Sequence, residues 1–125
     1  MKLNNLFRVH AILAFAYAVL MILLPQFTIS LLSPMPLNAI AIDITRILGS
    51  AILIVGLMAW GASGLSDKTA RRMIAIGLLI YTGLGAAIAL MGQLAGNWGI
   101  LGWSNFLVYF VVAIGYAYFL FLKPE

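Results

Sequence analysis

The segment Asp43–Gly64, DITRILGSAILIVGLMAWGASG, carries no charge after Arg46 and is apolar or small almost throughout. A crossing of the bilayer core needs roughly 20 mostly apolar residues. A run of that kind leaves few options to a chain other than a helix in lipid, because lipid offers no partner for a backbone amide and the helix satisfies its own. Three more runs obey the same rule. The sequence therefore predicts an all-α, polytopic membrane protein: one domain, a bundle of four transmembrane helices over about residues 6–24, 37–62, 70–94 and 103–122.

Composition agrees. Only 8% of the residues are charged and the mean hydropathy is +1.14. Soluble domains carry about 25% charged residues, so this chain could not keep a water-facing surface wet. The net charge of +4 comes from basic residues at helix ends, where anionic lipid headgroups are the nearer partner. No basic and aromatic patch on a soluble surface exists to argue for nucleic acid. The chain has no cysteine, which removes disulfides, thiol chemistry and cysteine metal sites.

The connections are short and carry clear breakers. Pro25 ends the first helix, since proline lacks the amide proton and its ring clashes one turn back. The segment 26–36, QFTISLLSPMP, is too short and too polar to span, and is expected to lie half-buried at the interface. Gly61, Ser63 and Gly64 close the second helix. Ser66 is placed to cap the third, with Asp67 in its positive first turn. Lys123 and Pro124 finish the fourth. Lys2 and Arg8 precede the first apolar run, but no small-residue cleavage site ends it, so an uncleaved helix is expected rather than a signal peptide.

Basic residues orient the bundle. Lys2, Arg8, Lys68, Arg71, Arg72 and Lys123 fall at the termini and in the middle loop, which share one side of a four-helix chain. Short cytoplasmic loops are enriched in Lys and Arg, so both termini are expected to face the cytoplasm. Trp98 and Trp103 then mark the outer interface and Trp60 the inner one.

Residues three and four apart share a helix face. His10, Ala14, Tyr17 and Met21 form such a stripe on the first helix. Asp43, Arg46, Gly49, Ser50, Leu53 and Gly56 form one on the second. Thr82, Gly85, Ala86, Ala89, Gly92, Gln93 and Gly96 do so on the third, and Asn105, Tyr109, Val112 and Tyr116 on the fourth. Lipid solvates Leu and Ile well, so membrane helices associate through close packing and hydrogen bonds. The four polar and small-residue stripes are therefore expected to face one another. The Gly85/Ala89 and Gly92/Gly96 spacings serve close contact either within the bundle or between protomers.

Arg46 falls roughly 10 Å from the middle of its helix, on the outer side. Ionisable residues at such depth are candidates for function. Asp43 and Arg46, with Gln93 and Asn105 from the same side, are the candidate ligand-binding residues. In one reading Arg46 meets an anionic or carbonyl-bearing group, such as a lipid headgroup or a quinone. In the other, Asp43 and Arg46 form an i, i+3 ion pair with Arg46 reaching outward, and Gln93 or Asn105 satisfies its spare donors. His10 stands alone without further ligands, so a hydrogen-bonded buried histidine is expected rather than a metal or a proton relay. The tyrosines could line an aromatic pocket or pack with each hydroxyl bonded across helices.

No span holds paired carboxylates, a Ser-His-Asp set or a histidine cluster, so no catalytic residue, metal or cofactor is assigned. The small multidrug resistance exporters have comparable size but depend on a glutamate in the first helix, whereas the only glutamate here is Glu125. The runs RILGSAILIVGLMAW, ARRMIAIGLL, ALMGQLAG and LGWSNFLVYFVVAIGYAYFLF resemble small four-helix proteins of bacterial inner membranes without an assigned role. That resemblance implies topology and location, and no substrate. The expectation is a binding or accessory subunit of the inner membrane, associated with lipids and able to form a homo-oligomer or join a larger complex. It would hold a lipid or quinone-like molecule near the outer leaflet. The alternative is a transporter of a small amphipathic solute along the inward stripes.

Overall fold

The computed structural model describes residues 2–123. Pro124 and Glu125, named above, lie outside them. Among the described residues the chain is all helix and connection: α1 Leu3–Leu23, α2 Pro25–Leu32, α3 Ala39–Ser63, α4 Lys68–Leu94 and α5 Gly102–Ala117, the last continuing as one π-helical turn, Tyr118–Leu122. In that turn the Lys123 amide donates to Tyr118 O, five residues back. Four helices, counting α5 with its π turn as one, are long and apolar enough to cross a membrane. With 21 residues, α1 is roughly 32 Å long, close to the thickness of the hydrocarbon core.

The segment after Pro25, expected to be half-buried, forms a short additional helix. Leu24 leaves the helical region (φ −131°, ψ 59°), as a residue before proline tends to, and Pro25 becomes the first residue of α2. Thr28 braces the corner: its hydroxyl donates to Leu24 O at 2.7 Å and Leu20 O at 3.1 Å. Pro25, Thr28 and Leu32 are buried, and Gln26, Phe27, Ser30 and Leu31 are exposed. A short helix with one buried face satisfies more backbone groups than an extended strap would.

Capping sets the other boundaries. Asn38 Oδ1 accepts from Ala41 N and starts α3. Asp67, not Ser66, caps α4: its carboxylate accepts from Thr69 N and Ala70 N at 2.9 and 3.2 Å, so the helix begins at Lys68. Asp67 therefore precedes the first turn rather than lying in it. At the far end Gly96 adopts φ +82°. Its amide donates to Gln93 O and that of Asn97 to Gly92 O, the pair of bonds that closes a helix through a left-handed glycine.

The bundle is built from two close pairs, α1 with α3 and α4 with α5, joined more loosely to each other. Gly49 and Gly56 let α3 approach α1. A Cβ on Gly49 would lie 2.9 Å from Ile22 Cγ1, and one on Gly56 2.9 Å from the Phe15 ring. The termini and the α3–α4 loop meet at one end. There the buried Arg71 guanidinium donates to Asn4 Oδ1, to Leu65 O and to Ala62 O, and stands over the Phe7 ring at 5.7 Å. Arg72 donates to Leu120 O at 3.3 Å. At the opposite end α2 is fastened to the α4–α5 loop. Gly99 N donates to Leu32 O at 2.8 Å and the Ser33 hydroxyl to Asn97 O at 2.6 Å.

Candidate functional site

The looser junction between the two helix pairs holds two chambers. The inner one, about 120 Å³, is lined by His10 and Tyr17 of α1, Tyr81 and Thr82 of α4, and Ser104 and Asn105 of α5, among others. The larger one, about 350 Å³, lies toward the α2 end, where Met21, Ile29, Leu32, Ile88 and Trp98 form an apolar lining. Tyr17, Ile52, Tyr81, Asn105 and Tyr109 line both and form the boundary between them. Leu13 and Val108, on the rim of the inner chamber, and Leu48, Leu84 and Ile88, on that of the larger one, are exposed on the outer surface.

The inner chamber brings several polar and aromatic side chains together within a mostly apolar lining. His10 is buried and its Nδ1 lies 2.8 Å from Tyr116 Oη. On its other side the His10 ring stacks on Tyr81, centroids 6.4 Å apart and planes inclined by 20°. Tyr81 meets Tyr109 edge to face at 5.8 Å, and their hydroxyls are 3.2 Å apart. Tyr109 owes its position to Gly85, where a Cβ would stand 2.6 Å from Tyr109 Cδ1. Thr82 turns its hydroxyl to Leu78 O at 2.7 Å and so meets its own donor requirement. By contrast, no hydrogen bond to the Asn105 amide or the Tyr17 hydroxyl exists among the described residues. Both line the chambers and leave hydrogen-bonding capacity open toward them.

The four candidate residues read from the sequence do not form one site. Asp43 and Arg46 are exposed on the outer face of α3, line neither chamber, and are joined by no ion pair. The buried face of α3 runs instead through Thr45, Gly49, Ile52, Gly56 and Ala59, about one residue around the helix from the expected stripe. Close contact of α1 at Gly49 and Gly56 sets that rotation. Gln93 sits at the correct end, but its amide Nε2 pins the α4–α5 loop by donating to Gly99 O at 2.9 Å and Trp98 O at 3.4 Å. Its buried Oε1 has no partner among the described residues. Asn105 alone lines the chambers. The stripes on α1 and α5 face inward as read from the sequence, and so do Thr82, Ala86 and Ala89 of α4. Trp98, in the α4–α5 loop, is half-buried against Gly92 and lines the larger chamber. Trp60 and Trp103 are exposed.

His10, Tyr17, Tyr81 and Tyr109 belong to the site, with Tyr116 bonded to His10 behind it. Their signal in the sequence was the repeat of polar aromatic residues along the stripes of the first and fourth predicted helices, His10 with Tyr17 and Tyr109 with Tyr116; Tyr81 lay beside the stripe read on the third. Among the described residues no group of three or more His, Cys, Asp or Glu comes together to hold a metal. Arranged this way, the cleft can offer hydrogen bonds and aromatic faces to a guest.

Fold and cleft together define an all-α bundle whose four principal helices are long and apolar enough to cross a membrane, with a polar aromatic cleft between two helix pairs. Residues 1–122 match the family described as "Domain of unknown function (DUF8292)", and the chain belongs to that family. No curated protein matches the chain, and no solved structure does.

Proposed function

We propose that this protein is a small-molecule binding protein of the bacterial inner membrane, crossing it four times with both termini in the cytoplasm. It holds a lipid-soluble molecule in the cleft between the α1/α3 and α4/α5 pairs. The observation that carries the reading is the pair of chambers sharing Asn105 and Tyr17, whose polar groups have no protein partner among the described residues. Both groups face the chambers with hydrogen-bonding capacity unused, and a guest that completes them is bound in return. The exposed aliphatic residues on the rims favour entry sideways from lipid. Lys68, Arg71 and Arg72 cluster at the end where the termini meet, and an excess of basic residues marks the cytoplasmic side. In this reading the chain is a carrier or accessory subunit, and Asp43 and Arg46 serve the interface with lipid rather than the guest.

Native mass spectrometry of the protein, extracted in a mild detergent, tests the proposal. The expected result is a retained mass of a few hundred daltons that is absent from a folded Asn105→Leu variant. An empty wild-type chain, or a mass retained equally by both, would overturn it. A mass lost from Arg46→Ala but kept by Asn105→Leu would return the site to the outer face of α3.

A further inference from the structure

We infer that the guest is an uncharged lipophile with a single-ring head, a phenol or a benzoquinone bearing an apolar tail. The ring sits in the inner chamber and the tail in the larger one. This rests on the cleft being the binding site, as proposed above, and assigns its ligand class.

Charge comes first. Among the described residues, no Asp, Glu, Lys or Arg lines either chamber. An ionised head brought into such surroundings would lose its hydration and gain no counter-charge. Phosphate-headed lipids and carboxylate detergents are disfavoured on that ground, whatever their tails.

Size narrows the head further. An apolar cavity of about 150 Å³ takes up benzene. The inner chamber, at about 120 Å³, is of the size of one ring. The larger chamber, at about 350 Å³, has room for a short run of hydrocarbon beside Met21, Leu32 and Ile88.

Hydrogen bonding then chooses the ring's substituents. The Asn105 amide both donates and accepts, and the Tyr17 hydroxyl does the same. The Tyr81 and Tyr109 hydroxyls, 3.2 Å apart, are farther from each other than the 2.5–3.0 Å of an ordinary O–H···O bond. That loose bond is readily exchanged for one to a carbonyl at the chamber boundary. A quinone carbonyl accepts from Tyr109 or Asn105, while a phenol hydroxyl donates to the Asn105 oxygen. The rings of Tyr81, Tyr109 and His10 stand at the 4.5–7 Å spacings at which aromatic groups attract one another, and they offer faces and edges to a further ring.

Three probes that share one tail separate the possibilities: 2-decyl-1,4-benzoquinone, 4-decylphenol and decyl phosphate. Each is titrated into the purified full chain in a nonionic detergent, and the one-to-one complex is counted by native mass spectrometry. Both ring-headed probes are expected to bind at least tenfold tighter than decyl phosphate. Asn105→Leu and Tyr109→Phe, checked for unchanged helicity, are expected to weaken decylbenzoquinone roughly five- to tenfold and twofold or more, respectively. Equal binding of all three probes would overturn the ring-head assignment and leave the cleft intact as a site. Ring-probe binding that neither variant changes would overturn the placement of the head beside Asn105 and Tyr109. If no probe binds while the Asn105-dependent mass of the previous section is present, the ligand class is overturned alone. If that mass is absent too, the cleft reading falls with it.

Discussion

His10 Nδ1 and Tyr116 Oη lie 2.8 Å apart although 106 positions separate them in the chain. Both residues are buried, at 6% and 0% exposure, so this hydrogen bond fastens α1 to α5 across the looser junction of the bundle. It also fixes which edge of the His10 ring is left for the inner chamber.

Removing one partner should expose the coupling. Tyr116→Phe keeps the ring and leaves His10 Nδ1 without its bond, at a cost of about 1 kcal/mol in stability. His10→Leu does the reverse. Combined, the two should cost less than their sum by about 0.5–2 kcal/mol, the range of hydrogen bonds between membrane helices. A double-mutant cycle on unfolding in detergent reads this directly, and strictly additive costs would show that the bond carries no stability.

Glycines on α4 should separate sharply. A Cβ on Gly85 would press on the Tyr109 ring at 2.6 Å, so Gly85→Ala should displace that ring, part it from Tyr81 and cost about 1–3 kcal/mol. At Gly77 and Gly83 a Cβ meets nothing within 4 Å, and both are helical. Alanine there should be neutral or stabilise by up to about 1 kcal/mol through helix propensity. Thermal unfolding of the three variants in one detergent makes the comparison.

Two arginines should likewise behave differently. Arg71 is buried and holds Asn4, Ala62 and Leu65 together at the end where the termini meet. Arg71→Met leaves Asn4 Oδ1 and two backbone carbonyls without this donor, and should lower stability by about 2–3 kcal/mol. Arg46 is exposed on α3, and Arg46→Gln should change stability by less than about 0.5 kcal/mol. Denaturation midpoints for the pair test this, and a large loss at Arg46 would show that its surroundings in the membrane matter more than its place in the bundle.

Orientation can be read with single cysteines, because the chain has none of its own. Ser66 in the α3–α4 loop and Asn97 in the α4–α5 loop are both exposed. With both termini in the cytoplasm, a membrane-impermeant maleimide added outside spheroplasts should label Asn97→Cys and not Ser66→Cys. The opposite pattern would invert the topology.

Much of this was legible along the chain because one quantity, unbroken apolar length, dictates a helix when the solvent is lipid. Pro25 marks the end of α1 by local backbone chemistry alone, whereas the α4 cap fell on Asp67, one residue past the expected Ser66, and Gly96, read as part of an inward stripe, closes α4 instead; the basic residues at the start of α4 lie at the end shared with Leu3 and Leu120. Periodicity also placed His10, Tyr17, Asn105, Tyr109 and Tyr116 on inward stripes. It could not fix rotation about each helix axis to better than one residue. On α3 that difference moved Asp43 and Arg46 from the expected interior to the outside. Lipid and protein interior are nearly equivalent to an apolar side chain, so hydropathy exerts little torque. Shape decides instead: Gly49 and Gly56 admit Ile22, Met21 and Phe15 of α1, and α3 turns to present them. Which helices become neighbours, that His10 meets Tyr116 and Tyr81 meets Tyr109, and that Asn105 is left facing a cleft follow from that packing, which no local stretch of sequence contains.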